Sequence, residues 1–336
     1  MIAAALIALL TLAISLSVTG LVRSYALGRD LMDHPNDRSS HTVPTPRGGG
    51  LAILVAIAAG VAVAWAAGAI PLQMGVTLVT GMGVLGAVGW LDDARGVPPL
   101  TRFVIHVLVG GGTVAAVGGF PILHLGDLEI TLGYVGSVLA TLGVVWAINL
   151  FNFMDGIDGI AGSQAVLIFG VAAALLFSRG AVSLALVAAI FASANLGFLV
   201  WNWPPAKIFM GDVGSGAVGY LVAALALMAD RERSVPVVVF AILGGVFIFD
   251  ATVTLVRRSV RGKHPAEAHR DHAYQRMTRA WGGHSPVTLA AAVITLLLSG
   301  FAAVSVLNPR LLPASGLAAV LVLSGVMLAA ERRSPM

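Results

Sequence analysis

Residues 2–23 read IAAALIALLTLAISLSVTGLVR, and no charge appears before Arg23. A helix of that length rises about 30 Å, the thickness of a bilayer's hydrocarbon core. No positive segment precedes the run, so it reads as a retained membrane span rather than a cleaved leader. Comparable apolar windows follow at about 49–68, 72–91, 102–119, 133–149, 161–177, 181–200, 214–229, 235–257, 286–307 and 311–330. The chain of 336 residues is 58% hydrophobic and only 11% charged, with a mean hydropathy of +0.93. These values predict an all-α polytopic membrane protein of about 10–11 transmembrane helices, folded as a single integral-membrane domain over residues 1–336.

The charges set an expected orientation. Loops at about 23–48, 91–102, 149–161, 201–213 and 257–285, with the C-terminal tail, carry 16 of the 20 Lys and Arg residues. The opposite side carries Arg179, Arg231, Arg233 and Arg310. The positive-inside rule therefore puts the first group of loops in the cytoplasm and the N-terminus outside. A pI near 10.0 then reflects topology and anionic lipid rather than nucleic acid. The absence of cysteine excludes disulfides, thiolate catalysis and Cys-ligated metals. The outer loops look chemically bare, and the longest is GFPILHLGDLEITLG. No internal repeat and no pair of broken helices of the transporter kind is visible.

The acids cluster at the expected cytoplasmic edge. Asp92 and Asp93 end a span in GWLDDARG; Asn149, Asn152, Asp155 and Asp158 recur every third residue in NLFNFMDGIDG; Asp212 opens a span in GDVGSG. On a helix or a tight helix end, the i+3 spacing makes one slowly turning stripe. Helix ends near water also collect Asn, Asp and Gly, and LDDARG or GDVGSG alone carries little information. GDVGSG lacks the Lys-Ser/Thr of a phosphate-binding P-loop. Five carboxylates at adjacent helix ends repel one another, and a hard divalent cation bound through oxygen relieves that repulsion. The same face carries Arg38, His41 and Arg47, then Lys207, then His269, Arg270, His272 and Arg276. Charge bias alone accounts for Arg257, Arg258, Arg332 and Arg333, but not for the histidines and tyrosine of HRDHAYQR. HPAEAHRDHAYQRM has the pattern of a short amphipathic helix. Arginines and histidines beside a metal site suit a diphosphate ligand. In the first loop, Pro44 and Pro46 stiffen the path of Thr45 and Arg47, and Gly48 to Gly50 allow close approach to a phosphate or a neighbouring helix.

RSSHTVPTPRGGG, WLDDARG, NLFNFMDGIDGIAG, FMGDVGSGAVGY and HRDHAYQRM, in that order, resemble the polyprenyl-phosphate N-acetylhexosamine-1-phosphate transferases of glycosyltransferase family 4. The start and end motifs are most similar to the bacterial O-antigen initiating branch. The resemblance implies transfer of an N-acetylhexosamine-1-phosphate (N-acetylfucosamine, N-acetylquinovosamine, N-acetylglucosamine or similar) from a UDP-sugar to undecaprenyl phosphate, with release of UMP. It implies Mg2+, or Mn2+, in a multi-pass bacterial inner-membrane enzyme, with membrane lipid but no nucleic acid as a partner; a homodimer is left open. By motif, Asp212 with Asn152 beside it resembles the metal site, and Asp92 and Asp93 the acid pair near the acceptor phosphate. Asp155 and Asp158 correspond to the nucleotide side, with Asn149 in the same motif. Asp92, Asp93 and Asp155 are the implied catalytic residues. HRDHAYQR stands where the family's basic loop grips the donor.

Two departures matter. The loop lacks the denser histidine cluster of the peptidoglycan branch, which argues against a phospho-MurNAc-pentapeptide transferase. Ala94-Arg95-Gly96 follows the acid pair where some branches carry a third acid. A proton-coupled transporter is the non-enzyme alternative; it would use ionisable groups within the membrane, for which His106 and Asp250 are the candidates. A CDP-alcohol phosphotransferase would need a longer acidic signature than DGIDGIAGSQA supplies.

Overall fold

The computed structural model describes residues 2–35, 43–262 and 269–335. Arg38 and His41 lie outside the described residues. The fold is a bundle of α1 (Ile2–Gly28), α2 (Gly50–Ala66), α3 (Leu72–Arg95), α4 (Pro99–Val117), α5 (Gly133–Met154), α6 (Ile160–Ser178), α7 (Val182–Asn202), α8 (Asp212–Arg231), α9 (Val237–Leu243), α10 (Gly245–Val260), α11 (Ala273–Trp281), α12 (His284–Leu307) and α13 (Leu312–Arg333). The all-α polytopic fold is as the sequence predicts, but nine helices among the described residues are long and apolar enough to cross a membrane, or ten if α9 and α10 form one bent span, against the expected 10–11. α2 has 17 residues, about 25 Å of rise, and is shorter than its apolar window.

The window 235–257 is not one straight span. α9 and α10 meet at an angle of 80°. The break falls at Gly244–Gly245, where two residues without side chains weaken the helix and admit a bend. Apolar residues on both sides hide that change of direction from hydropathy.

α8 is the hub. Inside the molecule 83% of its apolar window is buried, against 17% for α4 and 28% for the last span. Exposed Leu and Val on α1, α4, α5, α12 and α13 face outward, as lipid-facing surface does. Helices reach α8 closely where side chains are absent. A Cβ on Gly50 would overlap the backbone of Gly214, and one on Gly89 would overlap the carbonyl of Asp212. These two approaches seat the starts of α2 and α8, and the end of α3, against one another. For the glycine run of the first loop, the close neighbour is therefore a helix.

One end of the bundle gathers the polar loops. Phe209 N–H donates to Pro46 O at 2.8 Å, and Gly49 and Gly50 N–H donate to Phe209 and Met210 carbonyls at 2.9 and 2.8 Å. A short bridge pairs β1 (Met32–Asp33) with β2 (Thr45–Pro46). At the opposite end an antiparallel hairpin, β3 (Ile122–Leu125) and β4 (Leu128–Thr131), occupies the loop that reads as bare. His124 Nδ1 lies 2.8 Å from Asp230 Oδ2, and Arg310 Nε donates to Asp127 at 3.0 Å. That loop is clamped to α8 rather than featureless.

Candidate active site

Five carboxylates line one cleft of about 260 Å3 at the polar end: Asp33 on β1, which the sequence reading does not single out, and Asp93, Asp155, Asp158 and Asp212. α3 delivers Asp93 in its last turn, and Asp212 opens α8. Asp155 and Asp158 occupy the turn between α5 and α6. The expected i+3 stripe is interrupted there, because α5 ends at Met154 and Asp155 leaves the helical region (φ −86°, ψ 51°). The interruption swings Asp155 and Asp158 towards the other acids. Asn152, still on the helix, donates from Nδ2 to Asp212 Oδ1 at 2.7 Å and to Ser215 Oγ at 3.1 Å. Arg47 enters from the first loop. Its Nη2 donates to the Asp93 carbonyl at 2.6 Å, and its Nη1 stands 3.8 Å from Asp93 Oδ1. Val213 N–H donates to Asp93 Oδ2 at 3.3 Å.

A smaller chamber of about 60 Å3 adjoins this cleft through Asn152 and Asp212, and is lined by Asp92, Arg102, His106 and Asn149. Asp92 pairs with Arg102 and accepts the Val97 N–H at 2.7 Å. Arg102 Nη1 also stands 4.0 Å from Asp212 Oδ2. Asn149 Nδ2 donates to the Val145 carbonyl at 2.7 Å and lies 3.4 Å from His106 Nδ1. Asp92 therefore faces a different chamber from Asp93, although the two are adjacent in sequence.

An outer chamber of about 460 Å3 shares Asp158, Phe209, Gln275 and His284 with the cleft and adds Arg270 and Arg279. Asp158 is held from several sides. Its Oδ1 lies 3.0 Å from His284 Nδ1, Ala206 N–H donates to its Oδ2 at 2.9 Å, and Thr288 Oγ1 donates to its carbonyl at 2.8 Å. Asn202 Oδ1 accepts the Gly159 N–H at 2.9 Å and fixes the same turn. Arg102, His284, Gln275, Ser215 and Asn202 escape the sequence reading. Arg102 and His284 share one usable signal: each is a basic residue in the first turn of a span, Arg102 three residues after Pro99 and His284 directly after Gly283.

The basic loop divides. The described helix starts at Ala273, later than the amphipathic pattern suggests. Arg270 reaches the outer chamber. His272 and Arg276, expected to face the donor, are instead buried, 3% and 2% exposed. His272 stacks between His269 and Tyr274, and Arg276 reaches Glu331 on α13. His269 Nδ1 accepts the Asp271 N–H at 3.2 Å and does not line the cleft. Lys207 also misses the cleft: its Nζ lies 5.7 Å from the Trp201 ring centroid. Asp250 contributes structure, accepting the N–H groups of Ala273 and Tyr274 at 2.8 and 3.0 Å. Arg258, assigned above to topology alone, is buried and paired with Asp271.

Burial and charge crowding together set the electrostatics of the cleft. Burial first, then repulsion from Asp212, Asp93 and Asp158, pushes the Asp155 carboxyl well above the ordinary carboxylate range. Among the described residues no three His, Cys, Asp or Glu side chains close around a point as a complete metal cage. Asp212 and Asp155 bring carboxylate oxygens to the cleft and Ser215 a hydroxyl, while Asn152 turns its NH2 group to Asp212 and Ser215. Such a set is hard and incomplete, the kind a magnesium-sized ion completes with ligand phosphates and water.

The chain is similar to known proteins over most of its length. Residues 74–230 match the family model described as glycosyl transferase family 4. The chain is 31% identical over 302 residues to a probable undecaprenyl-phosphate N-acetylglucosaminyl 1-phosphate transferase of Bacillus subtilis, covering 88% of this chain and 82% of that one. It is 31% identical over 369 residues to the decaprenyl-phosphate N-acetylglucosaminephosphotransferase of Mycolicibacterium smegmatis, covering 98% and 89%. A phospho-N-acetylmuramoyl-pentapeptide-transferase of Geobacillus kaustophilus is 31% identical over 267 residues, covering 74% and 79%. The chain belongs to glycosyl transferase family 4.

Proposed function

We propose that this family member transfers an N-acetylhexosamine-1-phosphate from a UDP-sugar to undecaprenyl phosphate and releases UMP. The step would initiate lipid-linked O-antigen or another cell-surface polysaccharide at the cytoplasmic face of a bacterial inner membrane. The observation that carries this reading is the convergence of Asp93, Asp155, Asp158 and Asp212, flanked by Arg47 and Arg102, at the loop-rich end of a membrane bundle. A phosphorylated water-soluble donor and a lipid phosphate can meet only at such an edge. The concentration of Lys and Arg in the same loops supports the cytoplasmic assignment. N-acetylglucosamine-type relatives align over more of the chain, 88% and 98%, than the muramoyl-pentapeptide relative does at 74%, which supports a plain or 6-deoxy N-acetylhexosamine.

In the reaction an oxygen of the lipid phosphate forms a bond to the β-phosphorus of the donor. The bond from that phosphorus to the bridging oxygen breaks, and UMP leaves with the electron pair. The second pKa of a phosphate monoester is about 6, so the acceptor is mostly dianionic at neutral pH. Deprotonating the minor monoanionic fraction then contributes roughly a factor of a few, far less than the ~10²–10⁴ usual for base catalysis. Asp92 and Asp93 therefore serve chiefly to orient cations. Asp92 holds Arg102 towards the small chamber, and Asp93 holds Arg47 over the main cleft, so both guanidiniums face phosphoryl oxygens. Asn152 keeps the Asp212 carboxylate aimed into the cleft. Mg2+, or Mn2+ in its stead, would be held by Asp212 with Asn152 beside it, and when bound supplies charge neutralisation for the diphosphate.

The test uses membranes containing the full chain, undecaprenyl phosphate and a panel of UDP-N-acetylhexosamines. UMP release with conversion of the lipid phosphate is expected for at least one donor, and no release from any of them overturns the reading. UMP–UDP-sugar exchange without lipid phosphate would replace direct attack by a covalent aspartyl-phosphate route.

A further inference from the structure

α11 has nine residues, too few to hold a helix by itself in water. Its position is therefore set by its anchors. The Asp250 carboxylate accepts its first two N–H groups. The Tyr274 hydroxyl donates to the Phe153 carbonyl at 3.0 Å, inside the acidic turn motif. The third anchor comes from the far end of the last helix. Arg276, buried on the back of α11, sends Nη1 to Glu331 Oε2 at 2.8 Å and to the Ser334 carbonyl. The same Glu331 oxygen takes Arg257 Nη1 at 3.3 Å, so one carboxylate joins α10, α11 and α13. Among the described residues Glu331 is the only acid paired with Arg276. The other face of α11 presents Gln275 to both the cleft and the outer chamber, and Arg279 to the outer chamber.

We propose that Glu331 is a positioning residue for the reaction. Through Arg276 it fixes the pose of α11, and with it the side chains that α11 offers to the UDP-sugar. This rests on the transferase reading given above. Asp250 and Tyr274 hold the first two residues of the helix, and Arg276, its fourth residue, ties the end of that first turn to α13. Without the Glu331 carboxylate Arg276 keeps only the Ser334 carbonyl, and the hold on α11 beyond its first turn is weakened. Arg279, nearly a turn beyond Arg276, moves with that part of the helix, whereas Gln275, beside the Asp250 and Tyr274 anchors, moves less. The acids and Arg102 stand on α3, α4 and α8 and in the turn after α5, and are not carried by α13. The defect should therefore appear in donor binding far more than in the chemical step.

The experiment compares Glu331→Gln, Glu331→Asp and the neutral pair Arg276→Gln/Glu331→Gln with the unaltered protein. Loss of a largely buried partner predicts a KM for the UDP-sugar raised about tenfold in Glu331→Gln, with kcat within about threefold and the KM for undecaprenyl phosphate within about twofold. Glu331→Asp, which keeps the charge, should recover part of the donor KM. The neutral pair leaves no lone buried charge, so it folds where Glu331→Gln does not, and it should show the same raised donor KM. A folded Glu331→Gln or neutral-pair protein with an unaltered donor KM overturns the proposal, as does an equal loss in kcat for both substrates.

A second readout needs no turnover. The chain has no cysteine, so a buried Met277→Cys reports on α11 alone. Its maleimide labelling should quicken by about tenfold in the Glu331→Gln background. If the unaltered protein releases no UMP, the reaction reading has failed and the labelling still decides the anchor. Unchanged labelling refutes the anchor whatever the reaction is.

Discussion

Arg102 gives the most direct test of how the site works. It opens α4 and stands between two acids, paired with Asp92 and 4.0 Å from Asp212 Oδ2. Its side chain is 36% exposed and that of Asp92 is 11% exposed. A fully exposed pair contributes about 0–1 kcal/mol, and breaking a buried one costs about 3–5. This half-buried pair falls between them, so Arg102→Met should cost about 2 kcal/mol of transition-state stabilisation, roughly thirtyfold in kcat/KM. The loss has two sources: one cation fewer facing phosphoryl oxygen, and Asp92 left to point its own charge into the chamber. The second source predicts that Arg102→Met/Asp92→Asn recovers part of the loss. Arg102→Lys should be intermediate, because an ammonium cannot bond Asp92 and a phosphate through one rigid fork. The assay is UMP release against undecaprenyl phosphate concentration at saturating UDP-sugar. Activity of Arg102→Met within about twofold of the unaltered protein would refute the cation-orienting role of Asp92.

Three further outcomes follow from the same geometry. Asp250→Ala strips the acceptor from two N–H groups at the start of α11; at about 1–3 kcal/mol for each unsatisfied group the cost is about 2–6 kcal/mol, read as a lowered Tm in detergent, with Asp250→Asn milder because its amide oxygen still accepts. Asp212→Asn should need far more Mg2+ for half-maximal turnover, and near-normal turnover at low Mg2+ would refute the metal assignment. Burial first, then the neighbouring positive charge of His272 and Arg258, holds His269 down to about 4. The unfolded chain therefore binds the extra proton between about 6.5 and 4, so stability contributed by neutral His269 is complete above that window and is lost as pH falls through it. Denaturation midpoints of His269→Gln should flatten across that range relative to the unaltered protein.

The sequence exposes most of the bundle because insertion into lipid is decided locally, window by window. Direction is not local. The bend at Gly244 lies inside an unbroken apolar stretch, where hydropathy registers transfer into lipid but not the path of the axis. The acids are legible for a related reason. Asp93, Asp155, Asp158 and Asp212 stand at helix ends, where a polar residue beside a span is conspicuous. Which acids meet is another matter. Asp92 and Asp93 diverge into two chambers because successive residues on a helix point about 100° apart, and composition cannot choose between them.

The basic loop shows where such reading fails. A cation in a loop rich in His and Arg looks like a ligand for phosphate until its partner is found. The partner of Arg276 lies 55 residues away on α13. Arg270 and Arg276, six residues apart, end on opposite sides of the loop, one in the outer chamber and one in the protein interior. Arg47 is the contrasting case. Its loop is tied to the Phe209–Met210 carbonyls, and Gly49 and Gly50 lie against α7 and α8 with no room for a Cβ. A side chain at Gly50 would part α2 from α8 and carry Arg47 away from Asp93. Here the glycine run and the arginine form one device, in which the close helix contact fixes the distance between cation and acid.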